Sequence, residues 1–307
     1  MRNEFARIIS QLAEKDKNVI VITGDLGYGV LDTFWNTYPN QFINAGISEQ
    51  NMAAVSAGMA LEGKEVYMYS IANFPTLRCI ENIRNDIIYH NANVKIISIG
   101  AGFAYGSAGM SHHATEELAI MRAMPSISIF SPADLLEARA SILCAHDIEG
   151  PCYIRLGKGG EPLLHSNLAS FEYGKAIKVK DVEDMVVLTT GAIASEAKMG
   201  IEELEERNVK CGLYSFPTIK PIDSDLIRML ADYCKVIITL EEHNIIGGLG
   251  SAVAEVMSEM NGKRARLVRM GLRETFSEVV GDQNYLRGYY GIDKDGVKDQ
   301  ILSCITT

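Results

Sequence analysis

Asn18-Val19-Ile20-Val21-Ile22-Thr23-Gly24-Asp25-Leu26-Gly27-Tyr28-Gly29 is the stretch on which the fold turns. Its first half is a continuous apolar run, the pattern of a strand buried on both faces of a parallel sheet. Its second half is too glycine-rich for a helix and sits at that strand's carboxyl end. In open α/β sheets that end is where ligands bind. The glycines do not have the G-x-G-x-x-G spacing of a dinucleotide site. A plain strand-to-helix turn accounts for them as well.

Downstream lies Asn44-Ala45-Gly46-Ile47-Ser48-Glu49-Gln50-Asn51-Met52, running on through Ala53, Ala54, Ala57, Gly58 and Ala60. A polar turn with Gly46 leads into a helix of small residues, the composition of a helix packed closely on several sides. Glu49 stands at the seam. A carboxylate there is costly unless it is used, paired or neutralised. Support of the helix dipole is the alternative reading.

The pattern then alternates. Glu65–Tyr69, Val94–Ile99, Ile127–Phe130 and Cys152–Leu156 read as strands, and Thr76–Tyr89 reads as a helix with Leu77, Ile80, Ile83, Ile87 and Ile88 inward. Helices are also expected to start at Thr115 and at Ser131-Pro132-Ala133-Asp134, the latter with serine as cap and proline in the first turn. Between strand and helix runs a loop with Gly100, Gly102, Gly106 and Gly109, ending in Ser111-His112-His113. Loops of this kind inside compact domains are often functional.

From Glu161 the chain loses its period. The expected division is a first domain over 1–165, a linker over 166–184 and a second domain over 185–307. In the second, strands at 185–190, 209–214, 236–240 and 266–269 alternate with helices near 193–207, 224–234, 248–260 and 294–305. The fold class expected is therefore α/β: two consecutive α/β/α domains with mostly parallel sheets.

The 307 residues carry a net charge of −10, which argues against a broad nucleic-acid footprint. Hydrophobic residues at 47% and charged residues at 22% describe an ordinary globular chain. The six cysteines, Cys79, Cys144, Cys152, Cys211, Cys234 and Cys304, form no C-x-x-C pair and read as free thiols of a reducing compartment. Residues 1–16 read as an amphipathic helix rather than a leader, and no apolar run approaches the ~18 residues of a membrane span. A cytoplasmic location is expected.

Chemistry-bearing motifs are few. Of His112 and His113, an adjacent pair pointing two ways, at most one is expected to face a pocket, and no histidine has metal-ligand spacing. Glu241-Glu242-His243 before Gly247-Gly248 reads as a strand-to-helix turn that needs glycine. There is no nucleophile elbow, Walker loop or acidic metal triplet. The chain also lacks Gly-Asp-Gly with a downstream Asn, the pattern that holds a diphosphate through a divalent metal.

Taken together these residues resemble a known family. Gly24-Asp25-Leu26, Gly46-Ile47-Ser48-Glu49-Gln50-Asn51, Phe74 with Arg78 before Ile83-Arg84-Asn85, Ser111-His112, Ser131-Pro132-Ala133-Asp134, Arg155 and Glu241-Glu242-His243 before Gly247-Gly248 carry the resemblance. The run from Asp25 to Lys158 resembles the pyrimidine-binding domain of transketolase, and of the related 1-deoxyxylulose-5-phosphate synthase and 2-oxoacid dehydrogenase β subunits. The second half resembles their shared C-terminal domain.

The resemblance implies thiamine diphosphate as cofactor. Its diphosphate and magnesium (or calcium) would be held by a partner N-terminal subunit, so this chain looks like one half of a split transketolase. It implies Glu49 as the carboxyl that hydrogen-bonds the aminopyrimidine and activates the cofactor, in a half-apolar pocket that favours the protonated carboxyl. Phe74 would pack on the pyrimidine ring with Ile71 beside it, and Asp25 would lie near the cofactor. His112, Arg155 and Lys158 would bind substrate, and no residue of this chain would ligate metal. An α2β2 assembly is implied, with self-association through the first domain and its small-residue helix.

Several positions depart from the family. Ile71 and Leu77 replace aromatic residues. Gly100 replaces a histidine, Gly29 a serine and Ser107-Ala108 a Glu-Asp pair, and Lys158 stands where arginine is common. The expected reaction is transfer of a two-carbon ketol unit between sugars, with a donor or acceptor other than an ordinary pentose or hexose phosphate: an unusual sugar, a nucleotide-linked sugar or a 2-oxoacid. A 1-deoxyxylulose-5-phosphate-synthase-like or 2-oxoacid-decarboxylating acyl transfer, and a non-catalytic regulatory subunit that has kept the fold, are the alternatives.

Overall fold

The computed structural model describes residues 1–305. The first domain runs α1 (Arg2–Lys15), β1 (Val19–Thr23), α2 (Asp32–Thr37), β2 (Phe42–Asn44), α3 (Glu49–Leu61), β3 (Glu65–Ile71), α4 (Ile80–Asn82, continued by a π-helical Ile83–Ile88), β4 (Val94–Ile99), α5 (Glu117–Ala123), β5 (Ser128–Phe130), α6 (Leu135–Asp147) and β6 (Cys152–Leu156). The second runs β7 (Ile177–Lys180), β8 (Met185–Thr190), α7 (Ala194–Glu205), β9 (Gly212–Ser215), β10 (Thr218–Lys220), α8 (Ser224–Tyr233), β11 (Val236–Asn244), α9 (Leu249–Ser258), β12 (Arg266–Leu272), α10 (Gln283–Tyr289) and α11 (Lys294–Ile305). The expected second domain ended at residue 307; residues 306 and 307 lie outside those described.

The first sheet has seven strands in the order β10-β5-β6-β4-β3-β1-β2. All its neighbours are parallel except β10, which pairs antiparallel with β5. Strand β1 buries all five residues, as its unbroken apolar run implies. Val19 and Val21 pack under α1 and α6 with Phe5, Ile9, Ala138 and Ile142. Ile20 and Ile22 face the other way, onto Met52, Ala53 and Ala57 of α3 and Ile83 and Ile87 after α4. The two-residue period of a strand thus supplies both cores. The small residues of α3 let it lie close to the sheet.

The second sheet has five strands, β12-β11-β8-β9-β7, with β7 antiparallel to β9. Val187, Ile238 and Leu240 pack against α7 and α11 through Ile201, Val297 and Ile301. Val186, Leu188 and Ile237 pack against α8 and α9 through Ile227, Leu230, Val253 and Met257. Two α/β/α layers in succession match the expected class.

Differences from expectation are local. The stretch 166–184 is not all linker, because β7 lies inside it and joins the second sheet. Strand β10 crosses over to the first sheet, with Thr218 opposite Phe130 and Lys220 opposite Ile129. The α6 cap is Asp134, not Ser131. Asp134 Oδ1 accepts the Leu136 and Glu137 amides at 2.9 Å, and Oδ2 accepts those of Leu164 and His165 at 2.9 and 3.1 Å. Ser131 instead accepts the Gly191 amide on its carbonyl at 2.9 Å and ties the domains together. All six cysteines are free. Among the described residues no helix is long and apolar enough to cross a membrane.

Replacing Asp134 by alanine strands the four amides that its carboxylate serves. Asp134→Ala is expected to cost about 2–4 kcal/mol in urea denaturation, with Asp134→Asn recovering part of it.

Candidate active site

The strand order of the first sheet reverses at β1, with β2 on one side and β3 and β4 on the other. Connections leaving the carboxyl ends of β1 and β3 therefore diverge and open a crevice. Helix α3 starts in it. A side chain on Gly24 would lie 3.3 Å from the Gly46 carbonyl and 3.7 Å from Glu49 Cγ. The turn after β1 and the start of α3 are that close.

Asn44 stitches these two turns. Its Oδ1 accepts the Asp25 and Gly46 amides, each at 3.0 Å, and its Nδ2 donates to Asp25 Oδ1 at 3.1 Å. Tyr28 donates its hydroxyl to the same carboxylate oxygen at 2.6 Å, and the two bonds hold the Asp25 carboxyl below its usual range. Asp25 has φ +59 and Gly46 φ +71, so both turns use the left-handed region.

Glu49 is the first residue of α3, 7% exposed, in an open cleft lined by Ile47, Ser48, Gln50 and Arg78. Arg78 donates to Glu49 Oε1 at 2.7 Å. The surroundings of Glu49 are thus less apolar than expected, since a guanidinium is its nearest partner. Arg78 is 48% exposed on its side chain, and its guanidinium carbon lies 3.9 Å over the Phe74 ring. Ile71, Phe74 and Leu77 are all half-buried.

From Phe74 the contacts continue. The His112 ring meets it edge-on at 5.1 Å, and Tyr105 lies 6.3 Å beyond His112. Lys158 places its ammonium 4.8 Å over the Tyr105 ring. Glu49, Arg78, Phe74, His112, Tyr105 and Lys158 thus form one string of side chains along the carboxyl ends of the central strands. The two adjacent histidines do point two ways. His113 is buried edge-on against Phe103 at 5.1 Å with its Nε2 at the Gly106 carbonyl, while His112 is half-buried between Phe74 and Tyr105.

Arg155 is not placed to bind substrate. It is 2% exposed, donates from Nε to Glu117 Oε1 at 2.5 Å, and gives Nη2 to the carbonyls of Ala114 and Glu242. Burial by itself would raise the Glu117 carboxyl; the Arg155 guanidinium and nearby His243 outweigh it and hold it below the usual range. Glu241 has a structural task as well. Its carboxylate accepts the Leu249 and Gly250 amides that open α9, at 2.8 and 2.9 Å, and burial pushes it up to about 7. A side chain on Gly248 would collide with that carboxylate, so the turn does need glycine.

Sequence reading gave no role to Tyr105 or Arg2. Gly100 has φ +102, and a Cβ there would sit 2.3 Å from the Tyr105 ring. The phenol fills the space that a side chain at position 100 would need. Arg2 lies beside it: burial pushes the Tyr105 hydroxyl up, and the Arg2 charge pulls the other way. The glycine at 100 is the only trace of this arrangement in the sequence.

Fold and site together define an α/β class in which a pyrimidine-binding domain is followed by a smaller C-terminal domain. Residues 1–160 match the family model of the transketolase pyrimidine binding domain, and residues 174–297 match that of the transketolase C-terminal domain. A putative transketolase C-terminal section from Methanocaldococcus jannaschii is 35% identical over 98% of this chain and 95% of its own length. One subunit of the apulose-4-phosphate transketolase from Phocaeicola vulgatus is 33% identical over 96% of this chain and 94% of its own. A solved split-gene transketolase, an inactive β4 tetramer, superposes with a TM-score of 0.90 at 34% identity, covering 99% of this chain and 98% of its own. The chain belongs to the transketolase family and corresponds to the C-terminal section of its split members.

The contrast between the two expected cations is measurable. Arg155→Met leaves Glu117 charged and buried without its partner, so a loss of about 3–5 kcal/mol is expected in chemical denaturation. Lys158→Met, at an exposed position, is expected to change stability by less than about 1 kcal/mol.

Proposed function

We propose that this chain is the pyrimidine-side subunit of a thiamine-diphosphate-dependent transketolase, moving a two-carbon ketol unit between sugars once joined to a diphosphate-binding partner. The observation that carries the reading is Glu49, a carboxylate at a helix start in the crevice between β1 and β3, within reach of an apolar wall. The residues present suit the cofactor's aminopyrimidine. Among the described residues Glu49 Oε2 accepts no hydrogen bond, and Ile71, Phe74 and Leu77 are partly open. The magnesium and the diphosphate belong, in this reading, to the partner.

When bound, thiamine diphosphate supplies the nucleophilic carbon and the electron sink for breaking a carbon–carbon bond. The chain's own residues do the rest. Glu49 offers Oε2 to a ring nitrogen and shares a proton with it. Arg78 holds Oε1 and so fixes the rotamer. Phe74 would provide an apolar face for the aminopyrimidine, with Arg78 covering one side of its ring. Asp25 is kept ionised by Tyr28 and Asn44 at the edge of the crevice. His112 lines the substrate side.

Arg2 and Lys158 flank Tyr105 and suit an anionic substrate group. The phenol fills the place where a transketolase commonly has a histidine, while space at Gly29, the place of a serine, is open. This supports a sugar other than the common pentose phosphates. The P. vulgatus relative is named for apulose 4-phosphate. The partner requirement draws support from the solved β4 tetramer, which is described as inactive. An α2β2 assembly follows, with copies of this chain meeting near α3, where Val55, Gly58 and Leu61 are exposed.

Two measurements test the reading in the complex with the partner subunit. Glu49→Gln is expected to lower turnover by about 10²–10⁴-fold while the cofactor still binds; full activity would overturn the catalytic assignment. In a panel of xylulose 5-phosphate with ribose 5-phosphate, fructose 6-phosphate and apulose 4-phosphate, the first pair is expected to react poorly. Fast turnover on that pair would overturn the unusual-sugar assignment.

A further inference from the structure

We propose that Glu242 is a positioning residue, through which the second domain sets the shape of the loop that brings Tyr105 and His112 to the site. The proposal rests on the reading of that loop as substrate-contacting.

The loop from Gly100 to Ala114 cannot hold a single shape on local preference. Gly100, Gly102, Gly106 and Gly109 give it wide backbone freedom, and its only strand-like pairing is the bridge between Gly102 and Ala114. Its fixed points come from elsewhere. Glu242 Oε1 accepts the Phe103 amide at 2.6 Å from the end of β11. A Cβ on Gly102, at φ +59, would lie 2.6 Å from the same carboxylate. The carboxylate therefore packs directly on loop backbone.

Glu242 is itself held. It is 3% exposed, and Arg287 of α10 reaches its Oε2 at 2.6 Å, with Gln283 donating to Oε1 at 2.9 Å. Arg287 has a second partner in Glu196 at 3.1 Å. Two further contacts act on the same loop from the second domain. Tyr290 stacks on Phe103 at 5.5 Å and 12°, and Leu286 fills the space beside Gly106. From the first domain, Arg155 holds the loop's far end through the Ala114 carbonyl and binds the Glu242 carbonyl with the same nitrogen. The carboxylate joins both domains at the point where the loop must be stiff.

A stability role alone would need only the pair with Arg287. The bond to the Phe103 amide and the contact on Gly102 are what that role leaves unexplained. Because Arg287 keeps Glu196, Glu242→Ala leaves no orphaned buried guanidinium, and the fold is expected to survive.

The test combines hydrogen exchange on the full chain with kinetics of the assembled complex on the fastest sugar of the panel above. Glu242→Ala is expected to speed amide exchange over residues 103–113 by about tenfold or more, with the β8 and β11 amides unchanged. In the same variant kcat/KM should fall about tenfold, mostly through KM, with thiamine diphosphate affinity within about twofold of wild type. Glu242→Gln, which keeps an oxygen for the Phe103 amide, should recover at least half of the loss. Tyr290→Leu, which reaches the loop by an independent contact, should move both readouts the same way. Unchanged loop exchange overturns the proposal. So does a loosened loop with unchanged kcat/KM, or a loss confined to kcat with faster exchange in β8 and β11, which is mere instability. The exchange arm needs no turnover, so a failed transketolase reading shows separately, as a wild-type complex inactive on every sugar.

Discussion

A parallel sheet whose strand order reverses leaves a gap at the carboxyl ends of the two strands involved, because the connections run to opposite faces. The rest of this molecule depends on that gap at β1 and β3. The turn after β1 holds Asp25, the turn before α3 holds Gly46, and Asn44 bonds both. Helix α3 then begins with Glu49, after an N-cap Ser48 whose side chain makes no capping hydrogen bond. The small residues behind it let the helix lie against β1 and β3, which keeps the carboxylate at the crevice.

The boundary between the domains is built from charges removed from water. Glu117 with Arg155, and Glu242 with Arg287 and Glu196, lie where α5, β6, β11 and α10 meet. Ion pairs this buried add little net stability over apolar packing, but removing the sole partner of a buried charge is expensive. Their value here is directional. They fix how the second domain meets the glycine-rich loop, which apolar contacts with their tolerance for sliding would do less well. The β10–β5 pairing and the Gly191 to Ser131 bond lock the same relation at the far sheet edge.

Much of this was legible in the sequence. The largely apolar runs of β1, β3, β4, β6, β8 and β11 mark buried parallel strands, even with Lys95 inside β4 and Arg155 inside β6. The Gly-Ile-Ser-Glu-Gln run marked the helix start at Glu49, and Phe74 and His112 came with it. The short edge strands were not legible. Strand β7 reads Ile-Lys-Val-Lys, half polar at the edge of its sheet where none of its residues is fully buried, and it looks like linker. Strand β10 is three residues that become a strand only by pairing with the other domain. Asp134 was misread as part of a serine-capped turn, since the amides of Leu164 and His165 that complete its role are remote in sequence.

The sequence by itself determined the class, two α/β/α layers, and the start of a helix at Glu49, because hydrophobic period and a turn-to-helix motif are local properties. Only the tertiary structure decided which cations are free to meet a ligand. Arg155 and Lys158 are three residues apart, one inside strand β6 and the other in the glycine-rich turn after it, and the sequence names no partner for either. One ends inside the protein on Glu117, 38 residues away, and the other stands in solvent over Tyr105. It also decided that His112 packs on Phe74 while His113 is buried against Phe103, and that Gly100 is a glycine because a ring lies across it. Each of these depends on what another part of the chain has already filled, and packing of that kind is written in no single stretch.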